Sequence, residues 1–324
     1  PEVPAVLVFI KCSPGKLSAM SLRVTMARPG KIIEAEQRSS IQEVDGTLAG
    51  RLGRMSLGQQ VITLSIWPLL EQILSFMVNT VDLILATRMA DGDTRVAVMD
   101  ALGLGGYAMW LMMILQGAVA TGVLAIVSRA AGARKPEEAR QGLVQGILAG
   151  LFMGVISGLI IRLSLPQIIK IFGLSDAASE YAFDYLSILA WSCPFLGIFY
   201  ACTNALRAIG DTRTPFFIML FINMCNMILS AAFVFLDPPL GGMGIAGLAW
   251  GSLLAWLLGT LVVVVILSRQ HKPKSEEITL TLRQADWTPQ REMMARIGRV
   301  GLPQGVEMLG MWIIHAYVLR FITG

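Results

Sequence analysis

The stretch MGIAGLAWGSLLAWLLGTLVVVVIL, residues 243–267, contains no charged side chain. A helix needs roughly 20 mostly apolar residues to cross the hydrocarbon core of a bilayer, so this stretch is long enough to span a membrane. Five other mostly apolar stretches precede it, at about residues 61–86, 101–127, 143–163, 185–205 and 216–236. A seventh begins at Val300, and the chain ends inside it at Gly324. The pattern predicts an all-α, polytopic membrane bundle with six transmembrane helices and a partial seventh, cut short.

The amino-acid composition agrees with a membrane protein and argues against a soluble one. Hydrophobic residues make up 55% of the chain and charged residues only 15%, against about 25% charged residues in soluble domains. Backbone polar groups find no water in the bilayer core, so apolar stretches of this length must be helical. They are also too long for the strands of a membrane barrel, which need only about ten residues.

Basic residues are concentrated in alternate connections between the predicted helices, and acidic residues in the others. Basic side chains precede the first span and follow the second, fourth and sixth: Arg51, Arg54, Arg129, Arg134, Lys135, Arg140, Arg207, Arg213, Arg269, Lys272 and Lys274. Because basic loops remain in the cytoplasm, we predict a multi-pass protein of the plasma or inner membrane with a cytoplasmic amino terminus. The basic clusters lie in short loops, which argues against a nucleic-acid partner.

The amino-terminal region, residues 1–55, has no helical periodicity. Its one apolar run, residues 5–10, is too short to span a membrane or to form the core of a signal peptide. We expect either a disordered cytoplasmic tail or a segment that in part does not belong to the native protein. No functional residue is expected there.

A polar stripe on the first span is the strongest functional signal. At 100° per residue, Glu71, Ser75, Asn79 and Asp82 fall within roughly 80° of one another on a helix. Ionisable groups at membrane depth are costly and are functional candidates by default. The stripe would face other protein or a water-filled cavity. A carboxylate in a cavity of low dielectric constant can bind and release a proton, and its oxygens also suit a hard cation. The alternative is that Asp82 only packs one helix against another.

The fifth span carries a second polar stripe. Asn223, Asn226 and Ser230 lie within roughly 60° of one another on a helix. If this stripe faces the first, its amides can donate hydrogen bonds to Asp82. We therefore predict a cation- or proton-coupling site formed by Asp82, Asn226, Asn223, Asn79 and Ser230. The alternative is that these amides hold neighbouring membrane helices together.

Methionine is abundant, and it suits irregular apolar surfaces that accept many ligands. We predict a substrate cavity lined by Glu71, Met219, Met227 and Met112, although ordinary packing is an alternative for each methionine. Catalysis finds little support, because no nucleophile–base pair, phosphate loop or metal motif stands out. The four cysteines show no metal-ligand spacing. We expect no enzyme activity, no cofactor and no metal site.

Three strings outside the polar stripes carry a family resemblance. VSRAAGARKPEEAR (127–140) follows the second span, LRAIGDTRTP (206–215) follows the fourth, and GGMGIAGLAWGS (241–252) opens the sixth. Together with VNTVDLIL in the first span, they resemble the multidrug and toxic compound extrusion (MATE) family of secondary transporters. The resemblance covers roughly residues 50–324, and it is specific in combination.

This resemblance implies one lobe of a twelve-helix, two-lobe transporter. Residues 56–267 would form the amino-terminal lobe, residues 268–299 the cytoplasmic linker and residues 300–324 the start of the second lobe. Asp82 matches the family's acidic residue on helix one, and Asn226 matches its asparagine on helix five. The family pattern often continues to an aspartate four residues later, where this chain has Ser230. That departure leaves Asp82 with more of the coupling role.

The sequence therefore predicts a monomeric secondary antiporter that exports organic, cationic compounds in exchange for protons or sodium. Its partners would be small organic substrates and the lipid bilayer. One alternative is a flippase of the same superfamily acting on a lipid-linked oligosaccharide or polysaccharide. Such proteins line their cavity with cationic residues, and the spans contain few, Arg162 and Arg320 lying near their ends. Another alternative is a membrane scaffold without transport activity.

Overall fold

The fold was analysed in a computed structural model that describes residues 55–88, 91–238, 241–269, 280–283 and 285–323. The predicted tail, except for Met55, lies outside the described residues. Regular structure in these ranges is entirely helical: α1 (Leu57–Thr87), α2 (Gly92–Gly132), α3 (Pro136–Phe172), α4 (Asp176–Leu189), α5 (Cys193–Ala208), α6 (Arg213–Phe235), α7 (Gly244–Arg269) and α8 (Arg291–Thr323). Six spans long and apolar enough to cross a membrane occur among them. The predicted fold class and its six spans are confirmed.

The fourth span is built from two helices rather than one. α4 and α5 are joined by a 3₁₀ turn at Ala190–Ser192, and Pro194 lies in the first turn of α5. Proline has no backbone N–H and is well suited to the first turn of a helix, so its position agrees with a new helix that starts at Cys193. The span nevertheless continues from Asp176 to Ala208.

Local signals in the sequence set several helix ends. Ser56 and Gln59 form a reciprocal capping box at the start of α1, and Ser175 caps α4. Gly173 ends α3 with a φ of 63°, a left-handed conformation that glycine adopts without strain. Gly210, with a φ of 87°, lies in the turn between α5 and α6.

Glycines bring the backbones of α3 and α5 into direct contact. Gly150 lies against the backbone of Gly197, and Gly154 against Cys193 and Pro194. A Cβ at Gly158 would lie 2.7 Å from the carbonyl oxygen of Ala190. The regular glycine spacing on the third span therefore serves close helix approach, as expected for small residues in membranes.

Two large apolar clusters, with a small third one around Met112 and Cys193, form the core of the bundle. We call the end that holds the α2–α3 and α5–α6 turns the basic end, because Arg134, Lys135 and Arg213 lie there. The larger cluster surrounds Leu143, Leu206 and Leu267 toward this end. The smaller one surrounds Leu104, Leu186 and Leu248 toward the other end. Helix α2 contributes to both clusters and packs against α3, α4, α5 and α8.

Most of α1 and most of α8 lie on the outside of this core. Of the α1 side chains that the structure describes, only Glu71, Val78 and Ala86 are buried. Helix α1 packs mainly on α6, and α8 packs mainly on α2. Helix α8 begins at Arg291, whereas the apolar stretch in the sequence begins at Val300, so its first turns belong to the region predicted as linker.

Candidate functional site

Asp82 lies in the half of α1 that is further from the basic end. Its Oδ1 atom is shielded from solvent and has no hydrogen-bond partner among the described residues. Tyr185 of α4 is close enough to interact with it electrostatically. One turn further along α1, Ala86 packs into the smaller core cluster. Asp82 is therefore a partly enclosed carboxylate at membrane depth with unused hydrogen-bonding capacity.

A glycine on α2 makes room for the tyrosine beside Asp82. A Cβ at Gly105 would lie 2.6 Å from Cε1 and 2.9 Å from Cδ1 of Tyr185. Any larger residue at 105 would displace this ring. Tyr185 did not emerge from sequence reasoning, because neither its spacing nor its neighbours distinguish it from an ordinary core aromatic residue.

Glu71, predicted as a cavity residue, is ion-paired. Its Oε2 lies 2.5 Å from Nη2 of Arg207, in the last turn of α5. The glutamate side chain is 11% exposed and the arginine side chain 23%. Glu71 Oε1 and Arg207 Nε remain buried without a partner among the described residues. The negative charge of Glu71 is thus compensated within the bundle before any ligand arrives.

An aromatic contact lies next to this ion pair. Trp67, one turn before Glu71, packs against Phe216 and Phe217 with ring centroids 5.2 and 5.9 Å apart. The guanidinium carbon of Arg213 lies 5.5 Å from the centre of the Trp67 ring, within cation–π range. Trp67 and Glu71 therefore attach α1 to both sides of the α5–α6 turn.

The stripe on α6 is buried, and it turns towards α7. Asn223, Asn226 and Ser230 are 7%, 6% and 0% exposed. Asn226 donates a hydrogen bond from Nδ2 to Oγ of Ser252 at 2.8 Å. Ser230 lies against Gly251, where a Cβ would come within 2.8 Å of its Cα atom. Ser252 was not singled out from the sequence, although it ends the string that carries the family resemblance.

The two predicted stripes do not join into one hydrogen-bonded site. Within the described ranges, no hydrogen bond links Asp82 to Asn223, Asn226 or Ser230. Asn79 is exposed on α1. Three buried atoms on α6 have no hydrogen-bond partner among the described residues: Nδ2 of Asn223, Oδ1 of Asn226 and Oγ of Ser230. The structure thus holds two separate groups of polar atoms, one around Asp82 and one between α6 and α7.

The predicted methionines occupy three different environments. Met112 is fully buried, with its sulfur 2.9 Å from the Cys193 sulfur. Met219 is half-buried against the larger core cluster, and Met227 is 39% exposed. Met112 therefore packs inside the bundle, and only Met227 offers a freely accessible surface. No cluster of three or more histidine, cysteine, aspartate or glutamate side chains suited to a metal occurs in the described part of the chain.

Comparison with known proteins decides the family. The family model MatE matches residues 68–232, which include both polar stripes and the α5–α6 turn. The chain belongs to the MATE family. The family resemblance seen in the sequence is confirmed.

Similar proteins are transporters or are named as multidrug resistance proteins. An uncharacterized transporter of Bacillus subtilis, YisQ, is 20% identical over 79% of this chain and 54% of its own length. A probable multidrug resistance protein of Thermotoga maritima, NorM, is 25% identical over 64% of this chain and 44% of its own length. The solved structure of a multidrug resistance MATE transporter of the MOP superfamily, in an outward-facing conformation, is 25% identical and has a TM-score of 0.66. The match covers 78% of this chain and 53% of that one. The chain thus spans about half the length of the relatives it matches.

Proposed function

We propose that this MATE chain forms the coupling half of a secondary multidrug exporter. In this proposal organic, cationic compounds leave the cell in exchange for protons or sodium ions. The observation that carries the proposal is Asp82, a carboxylate at membrane depth whose Oδ1 is shielded and unpartnered among the described residues. An ionisable group in that position is costly to keep unless it has a function.

The arrangement supports alternating occupancy of Asp82. The shielded Oδ1 can accept a proton, or it can contribute to the oxygen shell of a sodium ion. Binding of either removes the net charge of the carboxylate, so its attraction for a cationic substrate falls. The same carboxylate can thus hold the coupling ion and the substrate only in turn, which is the basis of exchange.

Glu71 has a different role in this proposal. Its ion pair with Arg207 neutralises both charges, so it would attract neither cationic nor anionic substrates strongly. Asp82 is then the acidic group that acts on the substrate. The pairing of Arg207 also removes a cation that a lipid-linked pyrophosphate could use, which favours an exporter of cations over a flippase.

The charge pattern supports an orientation with the basic end in the cytoplasm. In that orientation the Glu71–Arg207 pair lies toward the cytoplasmic side, and Asp82 lies toward the outer half of the bundle. We propose residence in the plasma or inner membrane and function as a monomer.

The test is efflux of a cationic dye from proteoliposomes that contain the full-length protein, under separate proton and sodium gradients. Asp82→Asn keeps the size of the side chain and removes its charge, so we expect gradient-driven efflux to be lost. Asp93→Asn is the matched control, because Asp93 is exposed in the first turn of α2, and it should transport as the wild type does.

The outcomes separate the competing functions. Efflux that survives Asp82→Asn would reduce Asp82 to a packing residue and refute the coupling role. If correctly inserted wild-type protein moves no cationic dye under either gradient, the exporter proposal fails. Lipid-linked oligosaccharide would then be the next substrate to assay.

A further inference from the structure

The described residues between α7 and α8, 280–283 and 285–290, are packed as part of the six-span bundle. Leu280 is completely buried and Leu282 is 8% exposed. Further along, Met293 and Ile297 in the first turns of α8 are 6% and 2% exposed. All four side chains belong to the large core cluster formed by α2, α3, α5, α6 and α7. Together, residues 280–283 and 285–301 are called the strap below.

A buried glutamine on α3 holds the strap in place. Gln145 is 0% exposed. Its Nε2 donates to the backbone oxygen of Thr288, and its Oε1 accepts from the backbone N–H of Gln290, both at 2.8 Å. One side chain thus satisfies two backbone groups of a non-helical segment that would otherwise be costly to bury.

The same segment has its own local order. The backbone N–H and the hydroxyl of Thr288 both donate to Oδ1 of Asp286, at 2.9 and 2.7 Å. These hydrogen bonds stabilise the charged carboxylate and lower the pKa of Asp286 below its ordinary value. The turn to which Gln145 is hydrogen-bonded is therefore stabilised by residues of the strap as well.

Additional contacts tie the strap to three helices. Leu282 donates from its backbone to the carbonyl oxygen of Leu267 in α7 at 3.1 Å. Arg296 forms an ion pair with Glu138 of α3 at 3.3 Å. The backbone of Ile297 lies against Gly122 of α2. Polar and apolar contacts therefore act along the whole strap.

Beyond Pro303 the character of α8 changes. Proline leaves the carbonyl of the preceding turn without its helical hydrogen bond, which makes this point a natural joint. Side chains after it are largely exposed, for example Val306 at 62% and Ile314 at 63%. None of the described side chains from 302 to 318 is buried.

The second part of α8 meets α2 through two hydrogen bonds, a few aromatic rings and the approach of Gly305 to Ala118. Tyr107 donates from its hydroxyl to the carbonyl oxygen of Trp312 at 2.6 Å, and Trp312 donates from Nε1 to the carbonyl oxygen of Tyr107 at 3.2 Å. His315 meets the edge of Trp110 with ring centroids 5.2 Å apart. The side chains in this contact are partly or fully exposed, so it can separate at lower cost than the packed core under the strap.

From this contrast we propose that α8 is divided at Pro303 into two parts that move separately. This proposal rests on the proposed exporter function. The strap, clamped by Gln145, moves with the six-span bundle through the transport cycle. The face of α2 around Tyr107 and Trp110 is a reversible docking surface for the part of α8 after Pro303. The joint of the exporter therefore lies inside α8 and not in the connection before it.

Two cross-links in the full-length protein test this division. Each pair joins α8 to the bundle through introduced cysteines, Glu138→Cys with Arg296→Cys before Pro303 and Tyr107→Cys with Trp312→Cys after it. Native cysteines are replaced by alanine, and a short, reducible thiol cross-linker is used. We expect dye efflux to continue in the cross-linked 138–296 protein and to stop in the cross-linked 107–312 protein until the linker is reduced.

The opposite pattern would overturn the proposal. Efflux that stops on cross-linking 138 to 296 would show that the strap must leave the bundle. Efflux that continues with 107 linked to 312 would show that the docking surface does not open. Both variants are assayed before cross-linking, so that a failure of transport itself is recognised.

Spin-label distances decide the matter even if the exporter proposal fails, because they need no transported substrate. Labels at the exposed positions Arg129 and Glu292 report on the strap, and labels at Val96 and Tyr317 report on the part after Pro303. We expect the first distance to stay constant between acidic and sodium-containing conditions and the second to change by several ångströms. A change in the first distance, or constancy of the second, would contradict the proposal.

The clamp itself is tested by Gln145→Leu, which removes both hydrogen bonds with little change in size. We expect faster amide hydrogen exchange at residues 285–290. Gln141→Leu is the matched control one turn earlier, because Gln141 makes none of the hydrogen bonds found among the described residues. Equal exchange in the two variants would show that Gln145 does not hold the strap.

Discussion

Helices α1 and α6 both carry polar side chains into the membrane, but they are held in opposite ways. In the most apolar part of α1, 11% of the residues are buried, against 33% in α6. The polar side chains of α6 lie in its contact with α7, where Asn226 binds Ser252. Of the two acidic side chains of α1, Glu71 is ion-paired and Asp82 is left partly unpartnered among the described residues.

Both helices keep unpartnered polar atoms among the described residues, but only α1 keeps one on an ionisable group without a counter-charge, Asp82. An amide that bonds a neighbouring helix contributes to packing. In the proposed function, a carboxylate on a loosely attached helix, with a shielded oxygen that nothing in the described structure satisfies, binds the ion or the substrate. We therefore expect substitutions on the α6–α7 contact to alter stability, and substitutions near Asp82 to alter transport.

The largest effect on stability is expected from filling the α6–α7 contact. A Cβ at Gly251 would lie 2.6 Å from the backbone nitrogen of Ser230. Gly251→Leu would force the helices apart and cost about 3 kcal/mol or more. Thermal unfolding in detergent and the yield of monodisperse protein measure the loss.

The matched control for that change lies on α1. A Cβ at Gly58 would meet nothing within 4 Å, so Gly58→Leu should leave the unfolding temperature nearly unchanged. Equal losses at Gly58 and Gly251 would mean that α1 is packed as tightly as α6, and the comparison would fail.

The Glu71–Arg207 ion pair should give the next largest effect. Glu71→Gln leaves the guanidinium of Arg207 in a largely buried site without its counter-charge, at a cost of about 3 kcal/mol. The double change Glu71→Leu with Arg207→Leu removes both charges and should be less destabilising than the sum of the two single changes. A double-mutant cycle by thermal unfolding measures the coupling.

A surface ion pair provides the reference for this cycle. Asp91 and Arg95 lie 2.6 Å apart, with side chains 97% and 46% exposed. Asp91→Asn should cost no more than about 1 kcal/mol. If Glu71→Gln costs equally little, the ion pair does not anchor α1.

The smallest effect is expected at the Asn226–Ser252 hydrogen bond. Ser252→Ala removes the acceptor of one interhelical bond, and such bonds contribute on average about 0.6 kcal/mol in membrane proteins. Ser75→Ala on α1 is the control, because Ser75 makes no hydrogen bond found in the described ranges. A loss at Ser75 equal to that at Ser252 would contradict the assignment of α6 as the hydrogen-bonded helix.

Much of the fold could be predicted because its signals are local. The length of each apolar stretch determines where a membrane helix can form. Regularly spaced glycines in the third span favour a close helix approach, and Gly150 and Gly154 meet the backbone of α5. Helix α8 begins at Arg291, before the apolar stretch that starts at Val300, because its first turns contain Arg291, Arg296 and Arg299 and are helical without being apolar.

The candidate site was less predictable, because its geometry depends on contacts between distant residues. Helical spacing placed Asp82 and Asn226 on polar faces, but it could not say which neighbour each face meets. The expectation that the two stripes would meet has no hydrogen bond to support it in the described residues. Tyr185 and Ser252 carried no signal of their own, and only their positions beside Asp82 and Asn226 distinguish them.

By itself, the sequence determined the six spans, the all-helical class, the family and the presence of acidic groups at membrane depth. These follow from properties that each segment carries without its neighbours, namely hydrophobic length, turn residues and characteristic strings. Only the tertiary structure decided that Glu71 pairs with Arg207, 136 residues away, and that Gln145 grips the strap, 143 residues away. The physical reason is that helix rotation and partner choice are set by the packing of the whole bundle, which no single segment encodes.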